Sequence, residues 1–475
     1  DNDTTNADAQ NVTGDQVLEE HQSLYSDATG ATRGQLQMSV SIQRHPGTTT
    51  TGALDAVGDA IDVVAMGSAS FSGRASITSY YYDALDRQTS VVSLGTNGGS
   101  TYTRSSDTSA GSRSDTRLIS STTYNPEGTV QQTTDPRGLI ARTEYDQAGR
   151  RTKTINNYVD GTPSGDTDQT ILYAYTNGLL TSQTADLPGT DQVTTYSYSS
   201  GGLSSDLTSN RLLRQVTYPA GQASGGGGST IVKHGYNRLG QQKSRQDQSG
   251  NVIDTTFDAL GRETTRTMTT VASGFSTAVR RVEMAYLDRG LPSTVTQFGA
   301  TTGGTALDQV RYAYNGWGKG TNIYQDVDSD MTAAGVSNSG RSAFDFATTW
   351  STSTPSGGVH AHRVTSISSR AGGTAFTTVD YAYASGVGSD SNRVTALTMN
   401  SGVNTLAEYT YLGLGAVVTT QLKDAGLITS VETATGVYGD LDNFGRPIKW
   451  NWYRDGADAT AGFYNTTIAY DRNSN

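Results

Sequence analysis

The chain has 475 residues with no cysteine, 55 glycines, 9 prolines and 26 tyrosines, and its formal net charge at pH 7 is −11. Nucleic-acid binding requires basic patches that release counterions from phosphates, so this acidic balance argues against a nucleic-acid partner. No run of 18 apolar residues is present, and the sequence therefore predicts no transmembrane segment.

The N-terminal segment, residues 1–75, is expected to form a cap, a plug or degenerate repeats. Two stretches within it, "DQVLEEHQSLY" (15–25) and "TGALDAVGDAIDVVAMG" (51–67), have the patterns most compatible with a helix. If the protein has any helix, we expect it to lie in this segment.

A tetrad that begins with Asp or Asn and ends with Gly recurs further along the chain. The stretch "YNPEGTVQQTTDPRGLIARTEYDQAGR" (124–150) lies in register over "YNRLGQQKSRQDQSGNVIDTTFDALGR" (236–262), with three tetrads in each copy. Asp or Asn at the first place can bond its own backbone two residues on, and Gly at the fourth accepts the left-handed conformation. Each tetrad is therefore predicted to be a type I turn that closes a β-hairpin.

Six or seven residues separate successive tetrads, which is about 20 Å of strand at about 3.3 Å per residue. In "LIARTEY" (139–145) and "NVIDTTF" (251–257) neither strand face is apolar enough for a conventional sandwich core. Twist makes sheets of more than about ten strands curl or split. The predicted fold is all-β, a spiral antiparallel sheet of repeated hairpins wound into a hollow β-shell or barrel, or into a tubular fibre segment.

Aromatic residues mark the repeat. An aromatic four places before a glycine occurs at Tyr124, Tyr145, Tyr236, Phe257, Tyr286, Tyr314 and Tyr411. A Tyr-x-Tyr pair occurs at Tyr173/Tyr175, Tyr196/Tyr198, Tyr312/Tyr314, Tyr381/Tyr383 and Tyr409/Tyr411. Both members of a pair share a strand face, so we expect tyrosine rings on neighbouring strands to stack into ladders.

The motifs "YDALDR" (82–87), "YDQAGR" (145–150), "FDALGR" (257–262) and the terminal "YDRNSN" resemble the YD repeats, or RHS repeats, of a known protein family. The resemblance covers about residues 76–475, with a divergent insertion around 325–370. It implies a ribbon of hairpins wound into a hollow β-shell, as in bacterial Rhs and Tc toxins and in teneurins. Asp86 and Ser474 stand where the motif has glycine.

The ends of the sequence indicate a segment of a longer protein that continues beyond residue 475. The terminal motif at Tyr470 and Asp471 opens a hairpin that Asn475 cannot close, so we expect terminal edge strands that pair with another chain. Head-to-tail stacking of shells would give fibres. The cysteine-free, Thr-rich composition fits a secreted or cell-surface product, and we expect a bacterial one.

Two patterns resemble metal sites without completing one. His360 and His362 have the spacing of strand ligands, but no nearby His or Cys adds a third. The stretch "DVDSDMTAAGVS" (326–337) begins like a calcium loop, yet it lacks the required Gly and the bidentate Glu, so calcium binding stays open for Asp326, Asp328 and Asp330.

The sequence predicts no catalytic residue, cofactor or metal. The glycine run "SGGGGST" (224–230) lacks the lysine of a phosphate-binding loop. Asp146 with Arg150, and Asp258 with Arg262, have the residue types of acid–base pairs, but catalysis needs one placed constellation whereas a turn can recur.

The expected function is a structural, non-enzymatic, extracellular YD-repeat shell or fibre segment, a cell-surface scaffold for adhesion, assembly or the binding of carbohydrate or protein. Exposed tyrosines would stack on sugar rings. The alternative is the encapsulating shell of an Rhs/Tc-type toxin whose C-terminal effector is not in this segment. A polysaccharide-degrading enzyme ranks third.

Overall fold

The computed structural model describes residues 14–26, 34–54, 63–64, 72–219, 230–326, 344–353, 361–371, 374–384, 393–399, 402, 404–434, 436–456 and 462–474. These residues form antiparallel strands joined by turns, with two short 3₁₀ segments, Asn97–Gly99 and Arg104–Ser106. They contain no α-helix, and hence no helix long and apolar enough to cross a bilayer. The predicted all-β, antiparallel fold class is confirmed.

The chain divides into two compact units, of which the first comprises Asp1–Ala141, Trp350–Ser366 and Val379–Asn475. Its N-terminal strands are β1 (Glu19–Tyr25), β2 (Leu36–Arg44), β3 (Val63–Val64), β4 (Gly73–Tyr82), β5 (Gln88–Gly95), β6 (Tyr102–Thr103), β7 (Leu118–Tyr124) and β8 (Val130–Thr134). β1, β2, β4, β5, β7 and β8 pair in that order, and β3 pairs with β6.

The N-terminal strands of the first unit enclose a packed apolar core. Alternate residues of β2, Met38, Val40 and Ile42, are at most 1% exposed, and Ala75 and Ile77 of β4 lie against them. This period of two is the burial pattern of strands with one face on a core. The composition did not predict so compact a core, because the apolar residues are concentrated here rather than spread along the chain.

The helix that residues 15–25 could have formed is not present, because most of that stretch forms β1. β1 pairs with β2 in a register that runs from Glu19 opposite Gln43 to Tyr25 opposite Leu36, and Leu24 packs against the apolar core. The pairing satisfies backbone groups beside a buried strand, and this tertiary context overrides the local helix pattern. In the second stretch, 51–67, residues 55–62 and 65–67 lie outside the described residues.

The second unit comprises Arg142–Thr349 and Ile367–Thr378. Its strands are β9 (Ile140–Tyr145), β10 (Arg151–Asn156), β11 (Gln169–Thr176), β12 (Leu179–Asp186), β13 (Gln192–Ser197), β14 (Gln215–Thr217), β15 (Ile231–Tyr236), β16 (Gln242–Gln246), β17 (Val252–Phe257), β18 (Glu263–Thr270), β19 (Arg281–Tyr286), β20 (Pro292–Phe298), β21 (Ala306–Tyr314), β22 (Gly320–Asp326) and β23 (Phe344–Ser353), the first and last of which cross its boundary. Each strand pairs with the next in sequence.

The second unit has little apolar core. Among its described residues, the buried apolar side chains are Ile155, Val216 and Val232. Most strand residues are half-buried on both faces, as the Ser-, Thr- and Gln-rich sequence predicted. Hydrogen-bonded pairing and polar contacts between turns must therefore supply much of its stability.

The C-terminal strands are β24 (Ala361–Ala371), β25 (Thr374–Tyr383), β26 (Val394–Met399), β27 (Asn404–Leu412), β28 (Ala416–Leu422), β29 (Leu427–Ser430), β30 (Lys449–Arg454) and β31 (Tyr464–Thr467). From β25 to β31 each strand pairs with the next. In the first unit these strands meet the N-terminal ones, since the Gly413 amide donates to the Arg44 carbonyl at 2.9 Å and the Thr96 amide to the Asn443 carbonyl at 2.8 Å. Residues 327–343 and 354–360 of the predicted insertion lie outside the described part.

Candidate functional site

The predicted tetrads are hairpin turns. In the turn at 258–261 the Gly261 amide donates to the Asp258 carbonyl at 3.0 Å, and the Asp258 amide donates to the Arg262 carbonyl at 2.9 Å. Gly261 has a φ of 80° and Gly149 a φ of 75°, in the left-handed region where a Cβ is disfavoured. The strand register shifts at the aromatic residue before the turn, Phe257 in this case, as in a glycine-type β-bulge.

The first carboxylate of the motif holds the turn from inside. Oδ1 of Asp258 accepts hydrogen bonds from the amides of Leu260 and Arg262, both at 2.9 Å, and Oδ2 accepts one from Nε of Arg262 at 2.6 Å. These contacts, the Arg262 amide first among them, hold the pKa of Asp258 below its ordinary value. The same arrangement occurs at Asp83 with Arg87, Asp146 with Arg150, and Asp442 with Arg446.

A neutral version of the same turn shows that charge is not required. Oδ1 of Asn237 accepts from the amides of Leu239 and Gln241 at 2.9 and 3.0 Å, and its Nδ2 donates to Oε1 of Gln241 at 2.8 Å. Asn315 binds the amides of Trp317 and Lys319 in the same way. What the turns share is therefore a short acceptor side chain and a left-handed residue, usually glycine, at the fourth place, and an ionisable pair is not required.

The turns that contain an Asp and an Arg are joined to the next turn on the same sheet edge by that arginine and a tyrosine. The guanidinium of Arg262 lies 4.5 Å from the centre of the Tyr286 ring, and the Tyr286 hydroxyl donates to the Glu263 carbonyl at 2.8 Å. Arg87 and Tyr124 repeat this geometry, with a 4.5 Å separation. We call the set of turn carboxylate, turn arginine and following tyrosine the turn latch; the arginine and tyrosine recur as Arg150/Tyr175, Arg363/Tyr383, Arg393/Tyr411 and Arg446/Tyr470.

The turn latch corrects one expectation. Tyrosine ladders are wrong, since among the described residues the one ring-on-ring contact is His45 with Tyr438, whose centres are 5.6 Å apart. The face of a latch tyrosine is instead covered by a guanidinium, which attracts the electron-rich ring. The motif contains both the arginine and the tyrosine. Their contact joins two different repeats, so a single repeat of the sequence does not predict it.

The two departures from the glycine rule keep the same backbone. Asp86 has a φ of 62° and Ser474 a φ of 67°, so both adopt the left-handed conformation that strains a residue with a Cβ. The Ser474 amide donates to the Asp471 carbonyl at 3.1 Å, so a turn forms at the terminal motif. A turn is only the tip of a hairpin, and the expectation that this hairpin is not closed stays a prediction.

The terminal turn is also held by side chains of the same unit. Arg137 pairs with Asp471 at 3.2 Å, Nδ2 of Asn473 donates to Asp135 at 2.5 Å, and Arg472 donates to Asp115 at 2.8 Å. These contacts join side chains within one chain. They do not show whether the terminal strands of two chains pair with each other. Self-association through edge strands stays a prediction.

The predicted ligand patterns are largely beyond the described structure. His360, Asp328, Asp330 and the glycine run 224–229 lie outside it, and Asp326 and His362 are described only as the backbone of β22 and β24. Within the part of the chain that the structure describes, no three His, Cys, Asp or Glu side chains converge as a metal site would require. Calcium binding at the three aspartates therefore stays open.

A cavity of about 440 Å³ in the first unit was not predicted from the sequence. His45, Arg74 and Tyr438 line it, with Nδ1 of His45 3.0 Å from the Tyr438 hydroxyl and the guanidinium of Arg74 donating to the Asp442 carbonyl at 2.7 Å. Burial lowers the pKa of His45 and raises that of Tyr438. These residues are nearly 400 positions apart in sequence, so no local pattern announces the cavity.

A second cavity, of about 410 Å³, lies in the second unit beside Tyr196 and Tyr198. The hydroxyl of Tyr196 donates to Oε1 of Gln183 at 3.1 Å. Burial, and then the neighbouring hydroxyls of Tyr218, Tyr198 and Tyr173, raise the pKa of Tyr196. The Tyr-x-Tyr pattern marked Tyr196 and Tyr198 in the lining of this cavity, whereas Asn210 and Arg211 carried no signal in the sequence.

No protein-family model matches the chain, and the curated proteins contain no match. Several solved structures are similar in backbone. TcdB2-TccC3-TEV is 11% identical with a TM-score of 0.48, over 95% of this chain and 23% of that chain. TcdB2-TccC3 is 10% identical with a TM-score of 0.47, over 99% and 24%. The Photorhabdus luminescens Tc holotoxin pore is 11% identical with a TM-score of 0.47, over 93% and 22%. The chain spans less than a quarter of the length of these three chains.

Proposed function

We propose that the chain is a structural, non-enzymatic segment of an extracellular YD-repeat protein that serves as a scaffold for adhesion or assembly. The observation that carries the proposal is the turn latch. Its ionisable side chains are engaged in holding hairpins, and the same set recurs in both units. A device repeated at this many turns builds a surface, whereas a catalytic centre is built once.

The protonation chemistry of the latch also disfavours catalysis. A general acid or base works best with a pKa near the operating pH. The carboxyls of Asp83, Asp146 and Asp258 are instead held below their ordinary pKa by arginine and backbone contacts, so they stay ionised at neutral pH. Each carboxylate already accepts three hydrogen bonds, which leaves it poorly available to a substrate.

An extracellular setting is supported by the sheet itself. A cysteine-free, Thr-rich, acidic β protein of this kind fits a secreted or surface-exposed product. Protease shaving and immunolabelling of intact producing cells test the location. We expect labelling at the surface or recovery from the medium, and a product protected inside intact cells would contradict the proposal.

The non-enzymatic part is tested by the variants Asp146→Asn and Asp258→Asn in parallel. Each should lower stability by a similar amount and leave partner binding unchanged, because the two turns play the same part. Both variants are also assayed for activity on polysaccharide and peptide substrates. If one variant lost an activity without losing stability, and the other did not, a catalytic site would have been mistaken for a turn.

A second candidate is the encapsulating shell of an Rhs/Tc-type toxin with a C-terminal effector. It is supported by the contact between the N-terminal and C-terminal strands of the first unit, where β2 meets the turn after β27, since a ribbon that encloses a cargo must return on itself. The sequence of the gene beyond Asn475 separates the candidates. A variable effector domain behind the repeats would favour the shell, and further repeats alone would favour the scaffold.

A further inference from the structure

The cavity beside Tyr196 and Tyr198 lies at one edge of the sheet in the second unit. The turn between β11 and β12 forms one wall, and the segment that follows β13, residues 198–214, forms the other. Asn177 and Gly178 of the turn have φ values of 51° and 80°, the tight hairpin geometry that brings a side-chain amide to the rim. We call this concave surface the tyrosine cavity.

Some of the polar side chains that line the tyrosine cavity are free to meet a ligand. Those of Asn177, Tyr198, Asn210 and Arg211 make no hydrogen bond to any other described residue. They offer two amides, a hydroxyl and a guanidinium beside tyrosine rings and Leu179. Converging unpaired donors and acceptors next to aromatic surface are the features of a pocket for a small polar ligand.

The charge of the tyrosine cavity is positive in an acidic protein. Arg211 is the one charged residue that lines it, and no carboxylate is among the lining residues. Asp206, on the same segment, is already paired with Lys243 at 2.5 Å. A guanidinium offers a planar fork of donors that matches a carboxylate, which makes an acidic ligand a better match than a neutral one.

The wall that carries Asn210 and Arg211 is anchored before any ligand arrives. The Leu203 amide donates to the His234 carbonyl at 3.0 Å, and the Asp206 amide donates to the Tyr236 carbonyl at 2.8 Å. Gly235 permits this approach, because a Cβ there would lie 2.5 Å from the Ser204 carbonyl oxygen. A wall fixed in advance lowers the entropy lost on binding.

We propose that the tyrosine cavity binds an oligosaccharide that carries a carboxylate. Sugar C–H faces pack on Tyr198, the amides of Asn177 and Asn210 bond ring hydroxyls, and Arg211 pairs with the sugar carboxylate. The proposal rests on the adhesive scaffold function and names its ligand class and binding residues.

Saturation-transfer NMR and calorimetry on the full chain test it with three acidic probes, trigalacturonic acid, 3′-sialyllactose and a hyaluronan tetrasaccharide. We expect at least one to bind, and its methyl-ester form to bind about tenfold more weakly because the charged contact is lost. Arg211→Gln should weaken the acidic probe to the same extent without affecting the ester. Arg238→Gln, at an exposed arginine that does not line the cavity, is the matched control and should change nothing.

Tyr198→Ala should weaken the acid and its ester alike, because ring packing does not depend on charge. Gly235→Ala is a second route to the same loss, since it displaces the wall without altering a lining residue. Failure of all three probes to bind, equal binding of acid and ester, or unchanged binding by Arg211→Gln would each overturn the proposal. Surface labelling of intact cells does not depend on the cavity, so a protein that is labelled but binds no probe refutes the inference and leaves the scaffold standing.

Discussion

The contact between Arg262 and Tyr286 should stabilise the ribbon by a measurable coupling free energy. The perturbations are Arg262→Gln, which copies the residue that the chain itself places at position 241, and Tyr286→Leu, which removes the ring. If the turn latch joins neighbouring hairpins, the double variant should lose less stability than the two single variants added together.

The size of the coupling follows from the geometry. The guanidinium lies 4.5 Å from the ring centre, and the Arg262 side chain is 28% exposed, between the solvent-exposed and fully buried cases. Cation–π contacts range from about 0.5–1 kcal/mol at exposed sites to about 2 kcal/mol when desolvated. We therefore expect a coupling of about 1 kcal/mol, or about fivefold in the local opening equilibrium.

Native-state hydrogen exchange of the amides in β18 to β20 is the suitable assay, because an extended hairpin ribbon opens locally and a single melting curve averages over its hairpins. Tyr286→Phe is the matched control. It removes only the hydrogen bond to the Glu263 carbonyl, worth about 1 kcal/mol, and keeps the ring. Its effect should add to that of Arg262→Gln.

Strict additivity of Arg262→Gln with Tyr286→Leu would refute the latch. It would show that the two side chains stabilise their own hairpins separately and that the short distance between them has no energetic consequence. A coupling confined to Arg262, with none in a parallel cycle on Arg87 and Tyr124, would show that the geometry repeats without its energetics.

Three further outcomes are expected. Gly149→Val and Gly261→Val place a β-branched residue at φ values of 75° and 80°, so each should cost about 1–2 kcal/mol in denaturant unfolding while partner binding is unchanged. The lowered pKa values of Asp83, Asp146 and Asp258 mean that stability is complete above the ordinary aspartate pKa of about 4 and is lost as the pH falls through the lower folded-state values. Thermal melts followed by circular dichroism at a series of pH values should show this loss of stability at acid pH. The three Asp→Asn substitutions together should make the loss smaller. Light scattering should show association of residues 1–475 at high concentration that a charged capping hairpin suppresses, and a strictly monomeric chain would count against association through edge strands.

The turns were the most predictable part of the molecule. Asp or Asn followed three places on by Gly encodes a local backbone conformation, and no distant residue is needed to form it. Even Asp86, which breaks the glycine rule, retains the left-handed φ, since the surrounding hairpin imposes it. The all-β class followed from the spacing of these turns.

Contacts between distant residues were not predictable in the same way. Arg262 and Tyr286 lie 24 positions apart and meet only once the strands are paired, and His45 meets Tyr438 only because the two ends of the first unit come together. The strand at 19–25 has a helix-like local pattern and was decided by pairing with β2. Sequence periodicity reflects the conformation of neighbouring residues, so it does not predict contacts between residues that are distant in the sequence.

Hydrogen exchange at the turn amides tests the central claim most directly, that the repeated motif is a latched turn. The amides of Ala148, Arg150, Leu260 and Arg262 lie at hairpin tips, yet each donates to a turn carboxylate at 2.9–3.0 Å. We predict that all four are protected well beyond free peptide amides, to a similar extent in both turns, and that Asp146→Ala or Asp258→Ala abolishes protection in its own turn alone. Free exchange at these amides in the unaltered protein would contradict the account.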